Sequence, residues 1–207
     1  MEDLSSGLGD HCRYPPLMFK ELINNLAKIT QSQLREPASE RELHELQSRF
    51  EEVPSQLLQV LSCANGEAES SFKSNGMIAF EAFIDSENII REFDFATSYD
   101  VYHDLNQFVS CDRIVRNDDW HKGLVPISFG YDAHCVCIDM KPGPNGAVGQ
   151  ILALRPVTGN IDVIAKDLQH LLELTTSMYQ SRKLDPSSHD APCLTLEHFP
   201  PLVKNGG

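Results

Sequence analysis

The chain has 207 residues, 41% hydrophobic and 23% charged, with 30 acidic side chains against 17 basic ones and a formal charge of -13. These proportions exclude a disordered or fibrous chain, and the length suits one domain with short additions. The acidic balance excludes direct binding to nucleic acid, which needs a basic footprint, and points to a basic protein partner.

The opening residues, MEDLSSGLGDHCRY, hold acids and no apolar run of signal-peptide length, and no segment approaches the roughly 20 apolar residues of a membrane helix. The expected location is therefore cytoplasmic, with no membrane partner. Residues 1–16 read as an N-terminal arm. In 17–31, Phe19, Leu22, Ile23, Leu26 and Ile29 recur at the three-and-four spacing of an amphipathic helix. Ser39 followed by Glu42 predicts a capping box at the start of a second helix, with Leu43, Leu46 and Phe50 on its buried stripe. Pro54 suits the first position of a third helix bearing Leu57, Leu58 and Leu61, and Asn65-Gly66 supplies a left-handed stop.

Beyond that stop, GMIAF (76–80) and AFI (82–84) read as short strands, and DSENIIREFDF (85–95) as a helix capped by Asp85 or Ser86. Residues 81–119 hold ten acidic side chains and three basic ones, a net of -7 that exceeds half the charge of the chain. A solvated surface is the plain reading of such a run.

Three apolar runs follow, GLVPISF (123–129), HCVCIDM (134–140) and GQILALR (149–155), separated by the turn chemistry of GYDA and KPGPNGAV. They predict a three-stranded antiparallel meander. TGN (158–160) predicts another turn, and from Ile164 the chain reads as a closing helix with Asp167 as N-cap. Its buried face carries Leu168, Leu171, Leu172, Thr175, Met178 and Tyr179. Residues 182–207, rich in Pro, Ser and His, read as an irregular tail in which LTLEHF is the part able to dock on the domain.

HCVCIDM invites a chemical reading as a metal site or a Cys/His nucleophile. On a strand, however, His134 faces opposite to Cys135, Cys137 and Asp139, and same-face neighbours stand about 6.6 Å apart. Two thiolates on one zinc sit roughly 3.8 Å apart, and that strand spacing is also at the outer edge of the range for a disulfide. A nucleophilic cysteine needs a nearby base or cation, which the divergent His134 does not supply. Of six cysteines none forms a C-x-x-C, so most are expected to be reduced and buried. Asp139, ahead of a Pro-Gly turn, is expected to cap that turn's backbone. The glycines of GPNGAVG match neither a P-loop nor a dinucleotide fingerprint, and Trp120 in DDWH reads as a core aromatic or a partner contact.

The ordered series PASERELHELQSRFEEVPSQLLQVLSCANG, LVPISFGYD, VCIDM, VGQILAL and VIAKDLQHLLELT resembles the SUKH superfamily, the group of fungal cell-wall-synthesis regulators and bacterial toxin-immunity proteins. The resemblance runs from about Leu17 to Tyr179. It rests on Leu43 to Phe50, Val53-Pro54, Asn65-Gly66, Val125-Pro126-Ile127, Ile138-Asp139, Gly149-Gln150 and Ala165 to Leu172. Val53, Asp167, Leu168 and the turn GYDAH depart from the usual pattern and leave the subfamily open.

The resemblance implies an α+β fold in which a twisted, mostly antiparallel sheet with a C-terminal meander is flanked by N-terminal helices and a closing C-terminal helix, forming a single domain over 17–181. It implies protein binding in place of catalysis, with no catalytic residue, no cofactor and no metal. The expected role is that of an immunity protein whose carboxylates block the basic cleft of a toxin, nuclease or deaminase in type. The expected interface residues are Asp85, Glu87, Asp94, Asp100, Asp118, Asp119 and Asp132. A regulatory adaptor for signalling or cell-wall-synthesis proteins is the alternative, and a Cys/His hydrolase or metal-binding protein built on 134–139 is the reading from a different class.

Overall fold

The computed structural model describes residues 16–68, 76–78, 81–98, 120–129, 134–155 and 160–181. Helix α1 (Pro16–Thr30) opens on a proline, whose missing N–H costs nothing at a helix start. It buries Phe19, Ile23 and Leu26 and ends at Gln31, which takes a left-handed φ of 56°. Helix α2 (Glu40–Arg49) begins with the capping box expected from the sequence: the Ser39 hydroxyl accepts from the Glu42 N–H, and the Glu42 carboxylate accepts from the Ser39 N–H at 2.7 Å. Helix α3 (Ser55–Leu61) starts one residue later than predicted, so Pro54 is its N-cap and not its first helical residue.

Strand β1 (Ala82–Phe83) is short, and the strand expected at 76–80 is reduced, in its described part, to bridges at Gly76 and at Ile78, the latter paired with Glu81. Helix α4 (Ser86–Ser98) is capped by Asp85, whose Oδ1 accepts from the Asn88 N–H at 2.8 Å. After a short 3-10 turn (Trp120–Gly123), the run expected as one strand over 123–129 divides into β2 (Leu124–Pro126) and β3 (Ser128–Phe129), which join different sheets. Pro126 brings no N–H to a ladder, which favours a break there. Ile127 then faces both neighbours, donating its N–H to Val136 at 2.8 Å and accepting from the Ile84 N–H at 3.2 Å.

The main sheet is antiparallel throughout, in the order β2-β4-β5-β6, with β4 (Cys135–Asp139), β5 (Gln150–Arg155) and β6 (Asn160–Ala165) forming the predicted meander and extending it by one strand. That last strand corrects the sequence reading, which put residues 158–160 in a turn and started the helix at Ile164. NIDVIA alternates in strand fashion, Ile161 and Val163 facing one side and Ile164 the other. Helix α5 (Leu168–Gln180) starts only after Asp167, whose carboxylate accepts from the His170 N–H at 2.8 Å.

The inner sheet face, carrying Val125, Val136, Ile138, Ile151, Ala153 and Ile164, packs on the helices and forms the main core with Phe19, Leu46, Leu57, Ile89 and Leu171. The outer face carries a second buried cluster of Leu124, Cys135, Cys137, Leu152, Leu154 and Ile161. The chain is thus an α+β protein of the expected layout. Among the described residues no helix is long and apolar enough to cross a membrane. The N-terminal arm apart from Pro16, the tail 182–207 and the turn residues Thr158 and Gly159 lie outside the described residues.

Candidate functional site

The stop after α3 does more than end a helix. Gly66 has φ +80°, and a Cβ there would meet the Asp85 nitrogen at 2.6 Å, so only glycine lets this turn lie against the start of α4. That contact places Asn65 between two helices. Its Oδ1 accepts from the Ser86 N–H at 2.9 Å, satisfying a first-turn donor of α4, and its Nδ2 donates to Glu42 Oε1 at 3.1 Å. Glu42, held ionised by the Ser39 hydroxyl and N–H, therefore anchors both its own capping box and Asn65.

Next in the chain, Glu67 is buried, and its Oε2 accepts from the N–H groups of Met77 at 2.9 Å and Phe83 at 2.6 Å. Its Oε1 has no hydrogen-bond partner among the described residues, the neighbouring Ser32 hydroxyl lying 2.8 Å from Thr30 Oγ1. Burial raises the Glu67 pKa, against the weaker pull of Ser32 and the two N–H donors.

Helices α2 and α4 lie side by side over this knot. The rings of Phe50 and Phe93 stand 4.5 Å apart, and Arg49 lies over Phe93 at 5.6 Å while donating from Nε to Asp94 Oδ1 at 2.7 Å. Their outer faces carry more exposed carboxylates than exposed arginines, the latter being Arg41, Arg49 and Arg91. Helix α4 exposes Glu87 at the start of a face that continues through Arg91, Asp94 and Phe95, and α2 with its C-terminal extension exposes Glu40, Glu45, Glu51 and Glu52. The α2 carboxylates lie outside the acid-rich run 81–119, and SERELHELQSRFEE shows them at solvent-face spacing around the leucines.

Of the sequence-predicted interface residues, Glu87 and the half-exposed Asp94 stand on this surface. Asp85 does not: its side chain is 5% exposed, ion-paired to Arg35, and its Oδ2 accepts from Asn88 Nδ2 at 2.8 Å. Asp85 thus faces the fold. Asp100, Asp118, Asp119 and Asp132 lie outside the described residues, as does the Trp120 side chain.

At the end of α2 an open pocket of about 180 Å³ is lined by Phe50, Val125 and Met140 together with Glu51, Lys122 and Lys141. Small-molecule sites run to about 300 Å³ or more. Lys141 Nζ meets Glu51 Oε2 at 2.7 Å and holds that exposed carboxylate below its ordinary pKa.

The 134–139 cluster separates as the strand geometry requires: Val136 and Ile138 enter the main core, and the two thiols enter the outer cluster. Burial, with the adjacent Cys135 and the charges of Glu81 and Asp139, holds the Cys137 thiol well above its usual pKa, the reverse of a nucleophile's environment. Among the described residues no group of three or more His, Cys, Asp or Glu is placed to hold a metal ion. Asp139 closes its turn as expected, Oδ1 accepting from the Lys141 N–H at 2.9 Å.

A layered α+β protein with its sheet under helices, its turn motifs locked by buried polar side chains and its outer helices acidic defines a scaffold that presents a surface. The chain belongs to the SMI1 / KNR4 family (SUKH-1), whose model matches residues 37–174. Membership points to a protein-binding role, as an immunity or a regulatory protein, in a family that is generally non-catalytic. A search of curated proteins finds no match.

Proposed function

We propose that the chain is a non-enzymatic immunity protein of the cytoplasm, a single domain over 17–181 with an N-terminal arm and a C-terminal tail, that neutralises a basic toxin domain by covering its cleft. One observation carries this reading. In a family of protein binders, the packed helices α2 and α4, with the two residues that follow Phe50, turn Glu40, Glu45, Glu51, Glu52, Glu87 and Asp94 outward, Glu51 paired with Lys141 and Asp94 with Arg49. Carboxylates so ranged imitate a run of phosphates, which suits a nuclease or deaminase cleft, and they speed encounter with a basic surface. Asp100, Asp118, Asp119 and Asp132 belong to the same proposed interface by charge. Asp85 supports it from beneath by capping α4.

The test is co-expression with any toxin domain encoded beside this gene. Rescue of growth, co-purification, and an association rate that falls steeply between low and moderate salt are the expected results. Loss of rescue in a protein carrying Glu40→Gln, Glu45→Gln, Glu87→Gln and Asp94→Asn places the contact on this face. If no adjacent toxin is neutralised, the immunity reading falls and the regulatory role in the family takes its place.

A further inference from the structure

Strand spacing alone sets Cys135 and Cys137 about 6.6 Å apart at the backbone. The side chains nevertheless lean together, and their sulfurs stand 3.4 Å apart, both thiols buried in the outer cluster of the sheet. The Cys135 thiol also donates to the Ser128 carbonyl at 3.2 Å, which steadies it beside its neighbour. We propose that Cys135 and Cys137 are a dithiol modification site, oxidised to an intrachain disulfide by a low-molecular-weight disulfide such as oxidised glutathione.

The reaction balances in two exchanges. The sulfur of Cys135 attacks one sulfur of oxidised glutathione, breaking its S–S bond and releasing one glutathione thiolate. The sulfur of Cys137 then attacks the Cys135 sulfur of the mixed disulfide, forming the intrachain bond and releasing the second glutathione. The two thiol protons leave on the two released glutathiones, and the protein loses two electrons to the reagent. The second exchange is intramolecular between cysteines two residues apart on one face of the strand, so the mixed disulfide does not accumulate.

The strand sets the consequence. A disulfide brings sulfurs to about 2.05 Å and prefers Cα atoms about 5.5–6 Å apart, closer than two residues of extended chain allow. Strand β4 is paired on both sides, Cys137 opposite Pro126 and Leu152 and Cys135 opposite Leu154, so closure strains two ladders at once. The oxidised protein is folded less stably, and its bridge is readily reduced. Because both thiols are buried, the reagent reaches them only when the sheet opens, and the reaction proceeds in proportion to the population of that open form.

The experiment incubates the full chain with oxidised glutathione, without urea and at a urea concentration just below the unfolding transition. Remaining thiols are then blocked with N-ethylmaleimide after denaturation, and the peptide holding both cysteines is mapped by mass. The expected product is that peptide 2 Da lighter than its reduced form, with no glutathione attached. The melting temperature falls by at least about 2 °C and is restored by dithiothreitol. Cys137→Ser instead keeps glutathione on Cys135. Full alkylation of both cysteines in both conditions, stable glutathione adducts on the wild-type pair, or an oxidised form that melts like the reduced one each overturns the proposal.

Discussion

Gln150 reaches across the β4–β5 hairpin and donates its side-chain amide to the carboxylate of Asp139, Nε2 to Oδ2 at 2.9 Å, directly opposite it in the ladder. Both side chains are buried, and the other ends of the pair hold the turn between them: Asp139 takes the Lys141 N–H, and Gln150 Oε1 takes the Ala147 N–H at 3.2 Å. Two of the motifs on which the resemblance in sequence rests, Ile138-Asp139 and Gly149-Gln150, are therefore one structural device. Gln150→Ala takes a donor from a buried carboxylate and an acceptor from the turn. It is expected to cost about 1–3 kcal/mol, read as a lower urea midpoint with an unchanged slope. A midpoint equal to that of the wild type sinks this account of the pair.

Glu67 makes stability depend on pH in the direction opposite to most carboxylates. Its pKa in the folded protein is raised by burial, so the unfolded chain gives up this proton at lower pH than the folded one. The stabilisation is complete below the ordinary glutamate range and is lost as pH rises through the folded value. Glu67→Gln keeps an oxygen for the N–H groups of Met77 and Phe83 and removes the proton. Urea denaturation at several pH values from 4 to 8 is expected to show the variant gaining on the wild type as pH rises. Parallel stability curves for the two proteins refute it.

Much of this fold is legible in the sequence where local signals agree with tertiary ones. The α1 stripe of Phe19, Ile23 and Leu26, the Ser39–Glu42 box and the Asp167 cap each state their structure within a few residues, because the interactions that stabilise them are local. Strand β6 is not legible in that way: Ile164 and Ala165 suit a helix start, and only pairing with β5 decides the matter. The break at Ile127 depends likewise on two partner strands, and the contact between the Cys135 and Cys137 sulfurs on rotamers that a period-two pattern does not carry. The acids divide for the same reason. Asp85 and Glu87 are two residues apart in sequence, yet one is buried beneath Arg35 and the other faces water.

Two glycines separate the cost of a backbone angle from the cost of a collision. Gly66 and Gly149 both lie at positive φ, +80° and +88°, but a Cβ on Gly66 would meet backbone atoms of Ile84 and Asp85 within 3.0 Å, whereas nothing lies within 4 Å of one on Gly149. Gly149→Ala is expected to cost only the left-handed strain, about 1–2 kcal/mol. Gly66→Ala carries that strain and also pushes the Asn65 turn off the start of α4, so its loss is expected to be at least about twice as large. Thermal melts of the two variants, measured side by side, check this; equal shifts remove the close approach of Gly66 as an explanation for the Asn-Gly pair.

The acidic face offers a separation of binding from folding. The Arg49–Asp94 pair is nearly half exposed on both sides, so it is screened by water and worth at most about 1 kcal/mol. Asp85 is buried, pairs with Arg35 and caps α4 through Asn88, and Asp85→Asn is expected to cost about 1–3 kcal/mol through the lost charge-assisted hydrogen bonds. Glu87→Gln combined with Asp94→Asn should therefore leave the melting temperature within about 3 °C of the wild type. The same double variant should slow association with a basic partner several-fold at low salt and little at high salt, because steering charges act on encounter and are screened within about a Debye length. A double variant that melts as early as Asp85→Asn would show that these carboxylates serve the fold and leave the α2–α4 face without its proposed role.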